Sequence, residues 1–159
     1  MRIRKLAQPD RDGLVAVLRS DSTFHDDEVE CALELVDSAL ALPGKDYLVQ
    51  VCEDDDGRLV GYICYGPTPM AHGTWDLYWV CVHKEARGRG LSRKLCEAME
   101  ADLREHKARI IRLETSQMEA YGSARALYEK MGYKEVGRIH DFYRQGDDLL
   151  TFAKRMAPA

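Results

Sequence analysis

The chain of 159 residues carries 23 Lys and Arg against 27 Asp and Glu, a formal charge of −4, and 45% of its residues are hydrophobic. A chain of this size buries roughly two-thirds of the surface its unfolded form exposes, enough for one domain over residues 1–159 without metal or disulfide staples and too little for a two-domain dehydrogenase or a full barrel. The mild acidity argues against nucleic acid or an anionic membrane as a partner, because affinity there rests on clustered Lys and Arg. No window approaches the roughly 20 apolar residues of a membrane span, and Met1–Lys5 leads into no apolar signal segment, so a cytoplasmic setting is expected. Cys31, Cys52, Cys64, Cys81 and Cys96 form no C-x-x-C pair and read as reduced, buried thiols. The five histidines form no H-x-x-x-H pair, and no metal is expected.

In chain order, Met1–Leu6 reads as a first strand, and Pro9-Asp10 opens a helix with Leu14, Val17 and Leu18 on one stripe. Val29, Ala32, Leu33, Val36 and Leu40 continue at helical spacing until Pro43-Gly44 stops them. Tyr47–Cys52 and Leu59–Tyr65 are β-rich runs joined by Asp54-Asp55-Asp56-Gly57, a tight-turn signal that predicts an antiparallel pair. Thr74–Val82 follows as a strand whose alternation predicts Trp75, Leu77, Trp79 and Cys81 on one face and Asp76, Tyr78, Val80 and Val82 on the other. Leu91, Leu95, Ala98, Met99 and Leu103 mark a helix, Ile110–Thr115 a short buried strand, and Ala120–Met131 a second helix closed by Gly132. Tyr133–Tyr143, a turn at Gly146-Asp147-Asp148, and Leu149–Lys154 complete the chain as two strands. The order is that of a mixed α/β (α+β) layout with an antiparallel front half.

Between the fourth strand and the following helix lies Arg87-Gly88-Arg89-Gly90-Leu91-Ser92. Unpaired N–H groups at a helix N-terminus, the helix dipole, two glycines that let a phosphate reach the main chain and two arginines together make an anion-binding arrangement. Walker A and Rossmann fingerprints lack their required residues here, and Gly90-Leu91-Ser92-Arg93-Lys94 fails as a nucleophile elbow because it ends in Lys. The segment resembles [QR]-x-x-G-x-[GA] of the GNAT N-acetyltransferase superfamily, with Ser92 where that family prefers Gly or Ala. The resemblance covers roughly residues 1–155 and implies the GNAT fold, a mixed sheet of about seven strands flanked by four helices. It also implies acetyl-CoA as co-substrate. Its pyrophosphate would lie on the amides of Arg87, Gly88, Arg89, Gly90, Leu91 and Ser92, and its pantetheine arm would pair with backbone of Val80, Cys81 and Val82 beside a bulge in the fourth strand.

A second segment, Tyr121 to Tyr133, resembles the family pattern N-x-x-A-x-x-x-Y-x-x-x-G-[FY] at Ala124, Tyr128, Gly132 and Tyr133. Tyr121 replaces the Asn that contacts the CoA arm, and Ser123 is a substitute for it. Acetyl transfer to an amine requires a neutral amine, a donor for the developing oxyanion and a proton for the departing thiolate. An alkylamine has a pKa of about 10.4, so a base or a water relay must deprotonate it. The resemblance implies Tyr128 as the acid. The pairing of Leu113-Glu114-Thr115 with Tyr128 is similar to ribosomal-protein N-terminal acetyltransferases and points to Glu114 as the base. Asp76 and Tyr78 compete with Glu114, a backbone amide near Val82 is the candidate oxyanion donor, and Cys81 reads as an inert thiol rather than a ping-pong nucleophile.

The acceptor side is expected among Phe24-His25-Asp26-Asp27-Glu28, Gly66–Trp75 and Tyr143-Arg144-Gln145. The three acidic residues at 26–28 offer Coulomb attraction to a cationic amine, but they are read first as complements to a helix dipole. The expected activity is acetyl-CoA-dependent transfer to a primary amine of a small amine, amino acid or peptide. The alternative is a catalytically idle acyl-CoA-binding or interaction module of the same fold. Dimerisation is common in that fold, and a homodimer stays open.

Overall fold

In the computed structural model, which describes residues 1–20 and 22–158, seven strands form one sheet in the order β1-β2-β3-β4-β5-β7-β6. The strands are β1 (Arg2–Lys5), β2 (Leu48–Glu53), β3 (Leu59–Pro67), β4 (Thr74–Val82), β5 (Ile110–Ser116), β6 (Lys134–Arg144) and β7 (Asp147–Arg155). The helices are α1 (Arg11–Leu18), α2 (Asp26–Ala41), α3 (Leu91–Glu105) and α4 (Gly122–Lys130). Every strand pair is antiparallel except β4 with β5, which run parallel through the α3 crossover. This is the mixed seven-stranded, four-helix architecture that the sequence predicts.

The sheet divides the core in two. The apolar stripes of α1 (Leu14, Val17, Leu18) and α2 (Val29, Ala32, Val36) are buried against Val51, Tyr62 and Cys64 on one face. On the other face Leu91, Leu95, Met99 and Leu103 of α3 and Tyr128 of α4 pack with Ile63, Ile111, Leu113 and Phe152. Both helix pairs follow the helical spacing of their apolar residues, and each side chain removed from water contributes on the order of 1.5–3 kcal/mol. Glu100 is buried on α3 and held by both Lys154 Nζ contacts at 2.8 Å and by the Tyr133 hydroxyl at 3.3 Å.

One expectation fails inside β4. Its pairing with β3 skips a residue: Cys64 faces Trp79 and Tyr65 faces Leu77, which leaves Tyr78 as an extra residue. A bulge of one residue resets the two-residue alternation. Trp75 and Leu77 therefore share the α3 side with Val80 and Val82, whereas Trp79 and Cys81 pack on the α1–α2 side. A second expectation changes at the last turn, where Asp147 and Asp148 already belong to β7 and are buried.

Candidate active site between the splayed strands

Parallel pairing joins Thr74–Leu77 of β4 to Ile110–Leu113 of β5 and stops there. Beyond it β4 stays with β3 as far as Val82, and β5 stays with β7 as far as Ser116, so the sheet opens between them. The bulge at Tyr78 lies where the opening starts, as expected of a device that bends one strand away from its neighbour. The His83 N–H donates to Val60 O at 2.8 Å, and strand backbone alternates in direction. The N–H and C=O groups of Val82 and Val80 accordingly face the gap, while those of Cys81 are turned to β3. The resulting cleft has a volume of about 1240 Å³.

At one end of the cleft the chain makes a 3-10 turn over Lys84–Ala86 and passes through Arg87 to α3. The Arg87 guanidinium donates from Nε to Val82 O at 3.3 Å, which ties the loop to the end of β4. Gly88 (φ 75°) and Gly90 (φ 71°) both adopt the left-handed conformation, and a Cβ on either would stand in open space. Amides from Gly88 to Arg93 donate to no backbone oxygen among the described residues; the first such bond is Lys94 N–H to Gly90 O at 3.1 Å. A row of outward N–H groups at the start of a 15-residue helix, with no side chains in the way, fits a diphosphate. Leu91 is buried beneath the loop. Gly88, Gly90, Ser92 and Arg87 line the cleft, whereas the Arg89 side chain does not.

Across the cleft, Tyr128 projects from α4. Its side chain is only 7% exposed, with the ring against Tyr133 (5.9 Å) and Phe152 (6.5 Å). It lines the cleft, and its hydroxyl makes no hydrogen bond to the described residues. Burial pushes its phenol above the ordinary range, so it stays protonated. Ser123 and Tyr121 line the same wall. The Tyr121 hydroxyl reaches over to Glu28 Oε1 of α2 at 3.4 Å, and burial followed by that carboxylate pushes its pKa up to about 12. Tyr121 thus bridges the two sides of the cleft, a contact that its place in the motif does not suggest.

Glu114 stands on β5 just past the last residue paired with β4, about half exposed and facing the α1–α2 side. Arg112 lies beside it, with Nη1 3.5 Å from Glu114 Oε1 and Nε 2.7 Å from Asp76 Oδ1. Asp76 is buried, and its other oxygen accepts from the Thr68 hydroxyl at 2.8 Å. Both oxygens of Asp76 are therefore occupied, and of the two competing carboxylates Glu114 is the accessible one. Tyr78 is pushed up to about 12, by burial first and then by Asp76, and stacks edge-on with Tyr47 at 5.4 Å. Of two further acidic residues here, Glu28 stands in the segment expected on the acceptor side, whereas Asp147 escaped the sequence reading. Glu28 accepts the His25 N–H as a helix-capping group, and Asp147, which reads as a turn residue, is buried and accepts the Ser116 hydroxyl. Both line the cleft. Among the described residues no three His, Cys, Asp or Glu are grouped to hold a metal ion, and no helix is long and apolar enough to cross a membrane.

Residues 45–135 match the family described as an acetyltransferase (GNAT) domain. The chain belongs to the GNAT family. A GNAT-family structure from Desulfovibrio desulfuricans is 33% identical, with a TM-score of 0.91 over 98% of this chain and 99% of that one. The ribosomal-protein-alanine N-acetyltransferase of Brucella melitensis is 24% identical, with a TM-score of 0.77 over 98% and 100%. An aminoglycoside 6'-N-acetyltransferase in complex with coenzyme A is 20% identical, with a TM-score of 0.78 over 100% and 99%; these two show the shared fold. No curated relative matches the sequence. The splayed β4 and β5, the bulge and the glycine loop of this GNAT chain meet around one cleft.

Proposed function

We propose that this GNAT protein transfers the acetyl group of acetyl-CoA directly to a primary amine of a small molecule, amino acid or peptide. The observation that carries this reading is the single gap between β4 and β5, with an amide-lined loop at one end and Glu114 and Tyr128 on its walls. The amides of Gly88 to Ser92 hold the pyrophosphate, aided by the positive charge of Arg87. The backbone of Val80 and Val82 takes the pantetheine arm as an added strand. When bound, the thioester supplies the acyl group and a thiolate leaving group.

Glu114 takes a proton from the incoming ammonium, directly or through one water, because the amine is almost wholly protonated near pH 7. Arg112 pairs with Glu114 at 3.5 Å, Asp76 holds Arg112, and the Thr68 hydroxyl holds Asp76. The Val82 N–H faces the charge that develops on the carbonyl oxygen. Tyr128 gives its phenolic proton to the departing sulfur, a role its high pKa permits because the proton is present throughout the neutral range. Cys81 is buried toward α1 and α2, which favours direct transfer over a cysteinyl intermediate. The names of two relatives support nitrogen as the acceptor atom. A cytoplasmic setting, in which the five free cysteines stay reduced, is part of this proposal.

Thermal unfolding with and without acetyl-CoA, with ATP and NAD as controls, tests the co-substrate. Binding at about 100 times Kd adds about 2.7 kcal/mol, a Tm rise of roughly 5–11 °C for a domain of this size. A rise with acetyl-CoA alone, followed by thiol release with an amine, supports the reading. Binding without turnover on any amine leaves an idle acyl-CoA module, and no binding removes the reading altogether.

A further inference from the structure

The buried ion pair between α3 and β7 has no part in the chemistry above. Glu100 of α3 is 4% exposed, and Lys154 of β7 sets its Nζ 2.8 Å from each of the two carboxylate oxygens. Tyr133, 2% exposed, joins the same pair: its hydroxyl donates to Glu100 Oε1 at 3.3 Å, and the centroid of its ring lies 5.5 Å from Lys154 Nζ. Burial first and then the Glu100 charge push the Tyr133 phenol up, so it keeps its proton and stays a donor. None of the three lines the cleft. A buried ion pair adds little net stability over apolar side chains of the same volume. What it adds is direction, because charge-assisted hydrogen bonds hold their partners in fixed positions.

Direction matters because of the side chain that these three residues support. The Tyr133 N–H donates to Tyr128 O at 3.0 Å, and the two rings meet at 5.9 Å with their planes 59° apart. The Phe152 ring lies 6.5 Å from that of Tyr128. Phe152 and Lys154 are paired with Leu113 and Ile111, so they share the face of β7 that looks toward α3. The Tyr128 hydroxyl makes no hydrogen bond to the described residues, so ring packing is what aims it. A general acid has to stand within hydrogen-bond reach of the atom it protonates, and a displacement of about 1 Å costs on the order of 10²-fold in rate. Resting on Tyr128 as the acid of the proposed transfer, we propose that Tyr133 is a positioning residue for Tyr128 and that the Glu100–Lys154 pair anchors Tyr133 in that role. The three polar groups touch neither co-substrate nor amine and act through the Tyr128 ring alone.

The test is a double-substitution cycle on the full chain, read as thiol release at saturating acetyl-CoA, with ethanolamine, lysine and alanylglycine as amines and the fastest of them used for the kinetics. Tyr133→Phe removes the hydroxyl alone. Glu100→Met, Lys154→Met and Tyr133→Phe combined replace every polar member at once, so no buried group is left unpaired. The expected result is a kcat about threefold lower in the single variant and about tenfold or more lower in the combined one, with the KM for acetyl-CoA and for the amine at parent values. In a Tyr128→Phe background the same substitutions should leave kcat within about twofold of Tyr128→Phe alone, because they act through a group already removed. A merely structural role would lower kcat by the same factor in both backgrounds. That outcome, or an undiminished kcat with Tyr128 present, overturns the inference and leaves Tyr128 standing as the acid. If the combined variant fails to fold, Tyr133→Phe in the two backgrounds decides alone. A Tyr128→Phe kcat at the parent level removes the acid role and this inference with it, and acetyl-CoA binding with no transfer to any of the three amines overturns the transfer reading itself.

Discussion

Replacing Tyr128 by Phe removes one hydroxyl and leaves the ring in place. The ring is buried against Tyr133 and Phe152, and the hydroxyl makes no hydrogen bond to the described residues. No hydrogen bond is broken and no cavity larger than one oxygen is made, so stability should change by less than about 0.5 kcal/mol, or about 2 °C in Tm. The chemistry should respond differently. A positioned general acid contributes roughly 10²–10⁴ in rate, which at about 1.36 kcal/mol per decade adds about 2.7–5.4 kcal/mol to the barrier. Because burial raises the phenol's pKa, the parent enzyme should show no alkaline decline from this group below about pH 10. Initial rates of thiol release, measured at saturating acetyl-CoA and amine, should fall about 100-fold or more in Y128F. The KM for acetyl-CoA and the melting temperature should stay at parent values. A kcat within about threefold of the parent would refute the acid role, and a Tm lowered by more than about 4 °C would show that the hydroxyl is structural.

Glu114→Gln should lower kcat by roughly 10²–10⁴ with acetyl-CoA binding intact. The variant's rate should then climb about tenfold per pH unit up to about pH 10, as the amine deprotonates unaided, and a flat profile would count against Glu114 as base. Gly90→Ala places a Cβ at φ 71° in open space, so the expected loss of stability is about 1 kcal/mol from backbone strain alone. Its acetyl-CoA Kd should rise at the same time because the methyl stands where phosphate approaches; isothermal titration checks this, and an unchanged Kd would remove the loop from the phosphate site. Lys154→Met leaves the buried Glu100 without its two 2.8 Å contacts. Urea unfolding should show a loss of about 3 kcal/mol or more, and a loss below about 1 kcal/mol would mean that Arg104 and Tyr133 suffice for that charge.

Element order, the hairpin at Asp54–Gly57 and the glycine loop were legible because each rests on local chemistry: periodicity, a turn pair, residues without Cβ. The faces of β4 were not, because a bulge is a relation between two strands. Tyr78 has nothing in its own neighbourhood that marks it as an extra residue; only the skip from Leu77 to Trp79 opposite Tyr65 and Cys64 reveals it. The acceptor half was legible in its segments, Phe24–Glu28 and Tyr143–Arg144, but its cross-chain contacts were hidden for a similar reason. Glu28 serves the start of α2 as a cap, which is what its sequence context announces, and its contact with Tyr121 joins residues 93 positions apart. Asp147 follows a glycine and reads as a turn, yet the hairpin buries it beside Ser116. The third such case is β6, where four residues, His140–Tyr143, separate the pairs Ile139–Leu149 and Arg144–Asp147. Asp148 holds that excursion by accepting from the Asp141 N–H at 3.0 Å and the His140 ring at 2.9 Å, and it carries Tyr143 to the cleft.

The extra residue in β4 also makes the strand separable into two units. From Thr74 to Leu77 it bonds both neighbours and fastens the two halves of the sheet; from Trp79 to Val82 it bonds one and offers its other edge. Excising Tyr78 would leave Trp75, Leu77, Val80 and Val82 on their present face and Trp79 and Cys81 on theirs, since the alternation is regular once that position is skipped. The core would be none the poorer, and the straightened strand could zip onward along β5. One inserted residue thus sets where the sheet opens without disturbing the packing on either face.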